Sequence, residues 1–253
     1  MIPIKTPEEI ALMREVCRAA AQVLEHIARL TAVGVTPLEL DLAARDKMAE
    51  LGVESASYGY KHNRNPFPGY TCISVNDAVV HGVPGKQPLR AGDIVSLDVV
   101  VRRNGFIGDN ARTVLLEPVA EEVRQLCKIT EEALYQGIAF ARSGNRVHDI
   151  SHGVEKHVRP YNYGIVDSYV GHGVGRRMHE DPQIPNEGQP GTGALLRKGM
   201  TLAIEPMITL GDYRTVVDKA DKWTARTRDG KPAAHFEHTV LITENEPEIL
   251  TRP

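Results

Sequence analysis

Two aspartates stand in a segment that otherwise reads as a hydrophobic β-hairpin, SLDVVVRRNGFIGDN at residues 96–110. Aspartate is depleted in strands, so the presence of Asp98 and Asp109 needs an explanation. Two ionised carboxylates on a buried face repel each other and lose their hydration, and both effects cost free energy. A divalent cation between them would compensate both costs. The alternative is a solvent-facing strand surface, on which two aspartates are harmless.

The turn of this hairpin determines where the two carboxylates lie. Asn104-Gly105 is a strong signal for a two-residue type I′ turn, because both central residues of that turn need positive φ. The resulting register puts Asp98 opposite Ala111, which is two residues from Asp109. Residues two apart on a strand share a face, and diagonal neighbours lie roughly 7–8 Å apart. We therefore predict that both carboxylates point to the same side.

Further acidic and imidazole side chains occur in other strand-like or glycine-rich segments. These candidates are His172 and His179 in YVGHGVGRRMHEDP (169–182), Glu205 in LAIEPMI (202–208) and Glu237 in HFEHTVLIT (235–243). Singly, such residues are more often structural groups, but their recurrence beside apolar segments favours a shared site. A carboxylate-rich ligand set suits Mn²⁺, Co²⁺ or Fe²⁺ better than structural zinc. Two bridged ions would deprotonate a water molecule and stabilise a tetrahedral intermediate.

The composition is that of an ordinary globular protein, with 253 residues, 42% hydrophobic residues and a net charge of −3. Acidic and basic residues are mixed, so neither nucleic acid nor an anionic membrane surface is an expected partner. The N-terminus has no signal-peptide pattern, and no apolar run approaches the ~18 residues of a membrane span. The widely spaced Cys17, Cys72 and Cys127 argue against a disulfide framework or a cysteine zinc site. We expect a cytoplasmic protein.

Helix-start signals position these candidate residues within a larger plan. Thr6 and Thr36 each precede a proline and have a glutamate three residues later, which is the pattern of a capping box. Apolar spacing and closing glycines then define the helix ends. The predicted helices cover about 7–34, 37–51, 118–141 and 147–158.

The two halves of the chain follow the same order at an offset of about 110 residues. A long and a short helix are followed each time by a tyrosine-bearing strand candidate, ASYGYKH (56–62) and DSYVGHG (167–173). This order predicts a duplicated α-α-β-β unit in one domain, 1–253, with halves of about 1–115 and 116–253. The alternative is that two unrelated α/β stretches happen to look alike.

Several of these segments together resemble the type I methionine aminopeptidases, in order and in separation. The motifs are VNDAVVHGVP (75–84), SLDVVV (96–101), GFIGDNART (105–113), GHGVGRRMHEDP (171–182), LAIEPM (202–207) and FEHTVLIT (236–243). The resemblance extends from the opening IKTPEEIALMR to the closing EIL. It implies the α+β pita-bread fold, in which two pseudo-two-fold related α-α-β-β halves surround a curved antiparallel sheet that holds metal ions.

The resemblance also implies a site for two divalent metal ions. Carried over to this sequence, Asp109 and Glu237 would bridge both ions, Asp98 would bind one, and His172 and Glu205 would complete the other. Cobalt, manganese or iron is expected, and zinc or nickel is compatible. Metal availability, more than ligand identity, decides which ion is used in the cell.

The implied activity is removal of the N-terminal methionine from peptides and nascent proteins, with a preference for a small second residue. A metal-bound hydroxide would attack the first peptide bond, with Glu205 as proton acceptor. His179 would donate to the carbonyl oxygen, and His81 would bond the substrate near the scissile amide. The expected partners are peptide or nascent-chain N-termini, with transient contact to the ribosome, and a monomer is expected.

A methionine-selective pocket needs aromatic and soft groups that fit a flexible thioether. By resemblance, Cys72 and Trp223 line this pocket, together with Tyr60, Phe67 and Met178. A single tryptophan such as Trp223 is otherwise most often a core anchor.

The chain departs from the best-known bacterial members between Tyr60 and Cys72, where it is several residues longer. We assign no role to this 61–69 insertion or to His62. Two other classes are consistent with parts of the pattern. X-Pro aminopeptidases and prolidases use a similar ligand set but usually carry an additional N-terminal domain, and metal-free protein- or RNA-binding modules of the same fold would have lost ligands.

Overall fold

A computed structural model describes residues 2–62 and 65–252, which form four α-helices and many short strands. The helices are α1 (Pro7–Leu30), α2 (Pro37–Leu51), α3 (Glu121–Ile138) and α4 (Val147–Val158), and a 3₁₀ turn follows at Arg159–Tyr161. All four predicted helices are therefore confirmed, although α3 begins three residues later than expected. The side chain of His62 lies outside the described residues, as does part of the 61–69 insertion.

The strands of the first half are β1 (Glu54–Ser55), β2 (Lys61–His62), β3 (Asn65–Pro66), β4 (Cys72–Val75), β5 (Ala78–Val80), β6 (Ile94–Arg103) and β7 (Phe106–Leu115). Those of the second half are β8 (Gly164–Ile165), β9 (Gly171–Gly173), β10 (Glu180–Ile184), β11 (Thr201–Ile204), β12 (Met207–Thr209), β13 (Thr215–Val217), β14 (Ala225–Thr227), β15 (Ala233–His235), β16 (Glu237–Leu241) and β17 (Glu248–Ile249).

A nine-stranded antiparallel sheet runs through both halves in the order β1-β6-β7-β16-β11-β9-β10, with β4 on β6 and β17 on β16. The two halves join where β7 pairs with β16, with Ala111 opposite Glu237 and Asn110 opposite His238. The remaining strands form three smaller sheets, with the orders β15-β12-β8, β13-β14-β5 and β2-β3. The prediction of one domain with halves of about 1–115 and 116–253 stays a prediction, and the shared sheet supports it.

The β6–β7 hairpin has the predicted register. Arg103 pairs with Phe106 and Asp98 with Ala111, while Asn104 and Gly105 have φ values of 51° and 77°. Positive φ at both turn positions is the type I′ geometry that matches the twist of the strands.

Both predicted capping boxes are present. In α1, the Thr6 hydroxyl accepts from the Glu9 amide at 3.3 Å, and the Glu9 carboxylate accepts from the Thr6 amide at 2.9 Å. Thr36 and Glu39 repeat the arrangement at α2. These exchanges satisfy amides that would lack intrahelical partners.

Each half has its own hydrophobic core between its helices and its part of the sheet. Met13 and Val16 of α1 pack with the β6–β7 hairpin in one cluster. Leu126 of α3 and Ile150 of α4 pack with Leu202 of β11 in a second cluster. Burial of these faces holds one pair of helices against each half of the sheet, since apolar burial contributes about 25 cal/mol per Å².

The ends of the long helices show how closely the halves correspond. Gly34 and Gly144 have φ values of 92° and 93°, a region that favours glycine. The Gly34 amide donates to the Leu89 carbonyl at 2.8 Å, and the Gly144 amide donates to the Leu196 carbonyl at 3.1 Å. The duplicated plan therefore includes equivalent turns.

Two strand predictions, 56–62 and 167–173, are correct only for the last residues of each segment, which form β2 and β9. Residues 56–60 form bends and a turn before β2, and 167–170 are irregular before β9. In the first segment, the Ser55 hydroxyl accepts from the amides of Ser57 and Tyr58 at 3.2 and 2.9 Å. Such side-chain bonds remove amides from a strand ladder.

None of the helices in the described part of the chain is both long and apolar enough to cross a membrane.

Candidate metal centre and substrate cavity

A cavity of about 760 Å³ opens on the face of the large sheet where the halves join. It is lined by all the residues predicted for the site, namely Tyr60, Phe67, Cys72, His81, Asp98, Asp109, His172, Met178, His179, Glu205, Trp223 and Glu237. The size is appropriate for a small ligand or the end of a peptide. The cavity brings the predicted residues together, while their individual roles stay predictions.

Strand register explains why the acidic residues converge. Cys72, Asp98, Ala111 and Glu237 are successive cross-strand partners on β4, β6, β7 and β16. Directly opposed residues in an antiparallel sheet share a face. Asp109 is two residues from Ala111 and therefore points to the same side. Glu205 follows β11, the other neighbour of β16. We call Asp98, Asp109, Glu205 and Glu237 the acid cluster.

The ligand atoms of Asp109, His172 and Glu237 lie within 4.8 Å of one another. His172 Nε2 is 3.9 Å from Asp109 Oδ2 and 3.4 Å from Glu205 Oε1. His172 Nδ1 is 3.0 Å from the Gly173 carbonyl, and donation from Nδ1 leaves Nε2 with a free lone pair. This arrangement is typical of an imidazole prepared for a metal ion.

The described part of the protein provides few hydrogen-bond partners for the carboxylate oxygens of the acid cluster. Asp98 Oδ1, Asp109 Oδ1 and Glu237 Oε1 are buried and have no hydrogen-bond partner among the described residues. Asp109 and Glu237 are 4% and 3% exposed. Buried polar atoms are normally paired, so three such carboxylate oxygens in one place are typical of a site that can hold a cation.

The pKa values of these carboxylates show the same electrostatic imbalance. Burial raises the pKa of Asp98 to about 6, although nearby His235 opposes the rise. Burial, followed by the negative charges of Asp98 and Glu205, raises the pKa of Asp109 well above its usual range. Glu237 is affected in the same way by burial and by Asp109. The residues present therefore fit a divalent metal ion, which would offset both the burial and the repulsion of these carboxylates.

His179 lies beside this cluster and is held by Tyr60. The Tyr60 hydroxyl is 3.1 Å from His179 Nδ1, so Nε2 is the nitrogen left for a substrate. The rings of His179 and His172 are 4.5 Å apart. Desolvation and the neighbouring His172 lower the pKa of His179 to about 4, although its surface is partly open to the cavity. A neutral imidazole at this position can donate one proton without carrying charge.

Aromatic rings form the opposite wall of the cavity. Phe67 and Trp223 meet edge to face with ring centres 5.3 Å apart, and His81 contacts Trp223 in the same way at 6.5 Å. The Asn65 amide donates to the Asp221 carbonyl at 3.3 Å. The inserted segment is thereby attached to the turn that carries Trp223. Tyr169, which the sequence did not single out, packs against His81 at 5.3 Å.

His81 has an unusual backbone, with φ of 58°. This left-handed conformation is uncommon for residues other than glycine, and it occurs preferentially at functional sites. The next amide, of Gly82, donates to the Ser74 hydroxyl at 3.0 Å.

Cys72 also lines the cavity. Burial and the charges of Asp98 and Asp109 raise the pKa of the Cys72 thiol well above its usual range, so Cys72 is neutral.

A buried ion pair supports the loop that carries Met178 and His179. Lys5 Nζ and Glu180 Oε2 are 2.7 Å apart, and both side chains are 4% exposed. The other oxygen of Glu180 accepts from the Arg177 amide at 3.1 Å. We call Lys5–Glu180 the support pair. No local sequence pattern predicts this pair, because the two residues are 175 positions apart.

Residues 11–244 match the sequence model of metallopeptidase family M24. The chain is 43% identical over 252 residues to methionine aminopeptidase 1 of Bacillus subtilis, with both chains covered completely. It is 42% identical to the methionine aminopeptidase of Clostridium acetobutylicum, with 99% of each covered.

Solved structures give the same result. A methionine aminopeptidase from Thermotoga maritima superimposes with a TM-score of 0.96 at 45% identity, with both chains fully covered. A prolidase from Pyrococcus furiosus matches with a TM-score of 0.78 at 24% identity, and the chain spans 65% of that protein. The second likeness concerns the fold alone, and together the two confirm the predicted pita-bread architecture. The chain belongs to metallopeptidase family M24 and, within it, to the methionine aminopeptidases.

Proposed function

We propose that this enzyme removes N-terminal methionine from peptides and nascent proteins that have a small second residue, with two divalent ions bound by the acid cluster and His172. The observation that carries the proposal is the group of buried carboxylate oxygens without partners at the bottom of the cavity. Methionine as the target is supported by the names of the relatives and by the aromatic wall around Trp223.

The proposed ligands share one face of the cavity. Asp109 and Glu237, the most buried acids of the cluster, would hold the ions together with Asp98. His172 and Glu205, 3.4 Å apart, would complete the ligand set. When bound, the ions supply a lowered pKa for a water molecule and polarisation of the substrate carbonyl.

Glu205 is the proposed general base. Its carboxylate would accept a proton from the attacking water and pass it to the nitrogen of the leaving amine, which balances the hydrolysis. A position beside His172 at the cavity surface allows it to reach both groups.

His179 and His81 are the proposed substrate contacts. With Nδ1 engaged by Tyr60, His179 would use Nε2–H to stabilise the oxygen on which negative charge develops. His81 would bond the substrate near the scissile amide. The methionine side chain would lie among Phe67, Cys72 and Trp223, since a thioether packs well against ring edges.

The remaining expectations are also proposals. The preferred ions are cobalt, manganese or iron, with zinc or nickel compatible. The enzyme acts in the cytoplasm as a monomer, on peptide and nascent-chain N-termini, and contacts the ribosome transiently.

The decisive experiment is hydrolysis by enzyme reconstituted with Mn²⁺ or Co²⁺. Met-Ala-Ser should be cleaved, whereas Leu-Ala-Ser, Ala-Pro peptides and a Met peptide with a bulky second residue should be poor substrates. Glu205→Gln should lose at least ~10³-fold in kcat, because it removes a ligand and the base. Equal turnover of the Met and Leu peptides, or near-normal turnover by Glu205→Gln, would contradict the proposal. Anomalous scattering would count the ions.

A further inference from the structure

His235 is a buried histidine that is not among the site residues predicted from the sequence. It has no part in the mechanism proposed above. It ends β15 and is 2% exposed. Its amide donates to the Thr113 hydroxyl at 3.0 Å, and that hydroxyl donates to the His235 carbonyl at 2.9 Å. The backbone of His235 is therefore fixed from both sides, and the ring has little freedom to move.

The imidazole of His235 lies next to the proposed general base. Its Nε2 is 3.5 Å from Glu205 Oε2. Nε2 is buried and has no hydrogen-bond partner among the described residues. A buried nitrogen of this kind destabilises the folded state unless it is satisfied. Catalytic hydrogen bonds are often long in the free enzyme and tighten in the assembled site.

The two oxygens of Glu205 face two different imidazoles. Oε1 is 3.4 Å from His172 Nε2, and Oε2 is 3.5 Å from His235 Nε2. His172 has Nδ1 next to a carbonyl, so its Nε2 and Glu205 Oε1 are both electron-pair donors directed at one place. Two such donors fit around a cation and cannot hydrogen-bond each other. The His235 side of the carboxylate needs an N–H donor instead.

We propose that His235 is a positioning residue, whose Nε2–H donates to Glu205 Oε2 and directs Oε1 towards the metal. The inference rests on the proposed function, because it assigns Glu205 to the metal and to proton transfer. It adds a residue that acts through Glu205 and does not contact the substrate. Such outer partners hold a ligand in one orientation and raise metal affinity by about 10–100-fold.

The test compares three substitutions in the full-length protein. His235→Gln keeps an N–H near the position of Nε2, His235→Asn moves the N–H back to the position of Nδ1, and His235→Leu removes it. Calorimetric titration of Mn²⁺ into chelator-treated protein gives the metal affinity. Met-Ala-Ser hydrolysis gives kcat and KM separately, and thermal unfolding of the metal-free proteins reports on folding.

We expect about 10–100-fold weaker metal binding and at least ~10-fold lower kcat for Leu and Asn, with KM changed less than ~2-fold. His235→Gln should restore both quantities to within about 3-fold of the wild type. If Leu does not fold, the Asn and Gln pair carries the comparison. Equal metal affinity in all variants would overturn the proposal. Gln as impaired as Leu would also overturn it, since it would make His235 a direct ligand.

Failure of this inference is distinguishable from failure of the proposed function. The metal titration needs no peptide substrate. If the wild type binds metal but does not cleave Met-Ala-Ser, the function is wrong, and the affinities of the variants still decide the role of His235. If the wild type cleaves the peptide and the variants bind metal equally well, the function stands without this role.

Discussion

Two buried acidic regions lie side by side in this molecule, and the protein treats them in opposite ways. In the support pair, Glu180 is matched by Lys5 at 2.7 Å. In the acid cluster, Asp109 and Glu237 are similarly buried, but each has an oxygen with no hydrogen-bond partner in the described part of the chain, and the pKa of each is raised. A charge that only holds the fold is neutralised within the chain. A charge that is kept for a ligand is left uncompensated and costs stability until that ligand binds.

The largest effect is expected for a substitution in the acid cluster, which should lower activity while it raises stability. Asp109→Asn should lose at least ~10³-fold in kcat, because it removes a proposed metal ligand. The metal-free protein should nevertheless become more stable by about 1 kcal/mol or more, because a buried repulsion disappears. Activity assays and urea unfolding check both effects.

The matched control is Asp41, which is 3% exposed and whose Oδ1 accepts from the Tyr70 and Thr71 amides and from the Thr71 hydroxyl. Asp41→Leu should destabilise the protein, since a side chain of similar shape without an oxygen leaves these three donors without their acceptor. If both substitutions shift stability in the same direction, the contrast between satisfied and unsatisfied acids is wrong.

Removing the positive member of the support pair should give the next largest effect. Lys5→Met leaves Glu180 buried and without its cation, and we expect a loss of about 3–5 kcal/mol in the free energy of unfolding. Lys198→Met is the control, because Lys198 and Glu244 are 3.9 Å apart and more than half exposed. It should change stability by less than ~0.5 kcal/mol. Similar losses in the two variants would refute the assignment of Lys5 as a buried anchor.

The pH dependence of the metal-free protein should show the cost of the acid cluster. An acid with a raised pKa in the folded state holds its proton longer than in the unfolded chain, so stability falls as pH rises through that interval. Asp109 and Glu237 have such pKa values. His179, whose pKa is lowered to about 4, acts in the opposite direction below about pH 6.5.

The informative window is therefore above about pH 7.5, one unit above the ordinary histidine pKa of about 6.5, where the opposing contribution of His179 is nearly complete. Metal-free protein should lose stability there by about 1.4 kcal/mol per pH unit for each acid that still holds its proton. Saturating Mn²⁺ should abolish the slope, because the carboxylates are then ionised throughout. Urea midpoints at several pH values measure this, and a flat profile without metal would mean that the cluster carries no strain.

The smallest expected effect concerns Tyr60, which holds a neutral group beside the cluster. Tyr60→Phe removes the hydroxyl at His179 Nδ1 and should lower kcat about 10-fold, since a single lost hydrogen bond is worth about 1–1.5 kcal/mol. Nitrogen chemical shifts of the labelled histidine should show a changed tautomer. Tyr58→Phe, at a ring that stacks on Tyr70, should leave kcat within about 2-fold. Unchanged shifts in the Tyr60 variant would remove Tyr60 from this role.

Local signals predicted much of the fold. The capping boxes at Thr6 and Thr36 gave the first two helices, and Asn104-Gly105 gave a hairpin register that the structure reproduces residue by residue. These predictions succeeded because each depends on contacts within a few residues of the chain.

The predictions that failed concern segments whose structure depends on contacts between residues far apart in the sequence. The tyrosine segments resemble strands, but side-chain bonds and the cavity rim keep most of their residues out of the sheets. His235 carries no local sign of importance, because its partner Glu205 reaches it only through the pairing of β12 with β15. For the site residues, the acidic pattern suggested convergence, and the family resemblance supplied the individual roles.

The pairing of β7 with β16 also has a consequence for how the enzyme is made. Asp98 and Asp109 leave the ribosome about a hundred residues before Glu205 and Glu237. With the ligands proposed above, an unfinished chain carries only half of the acids of the site. Its own activity should therefore begin only when translation is nearly complete.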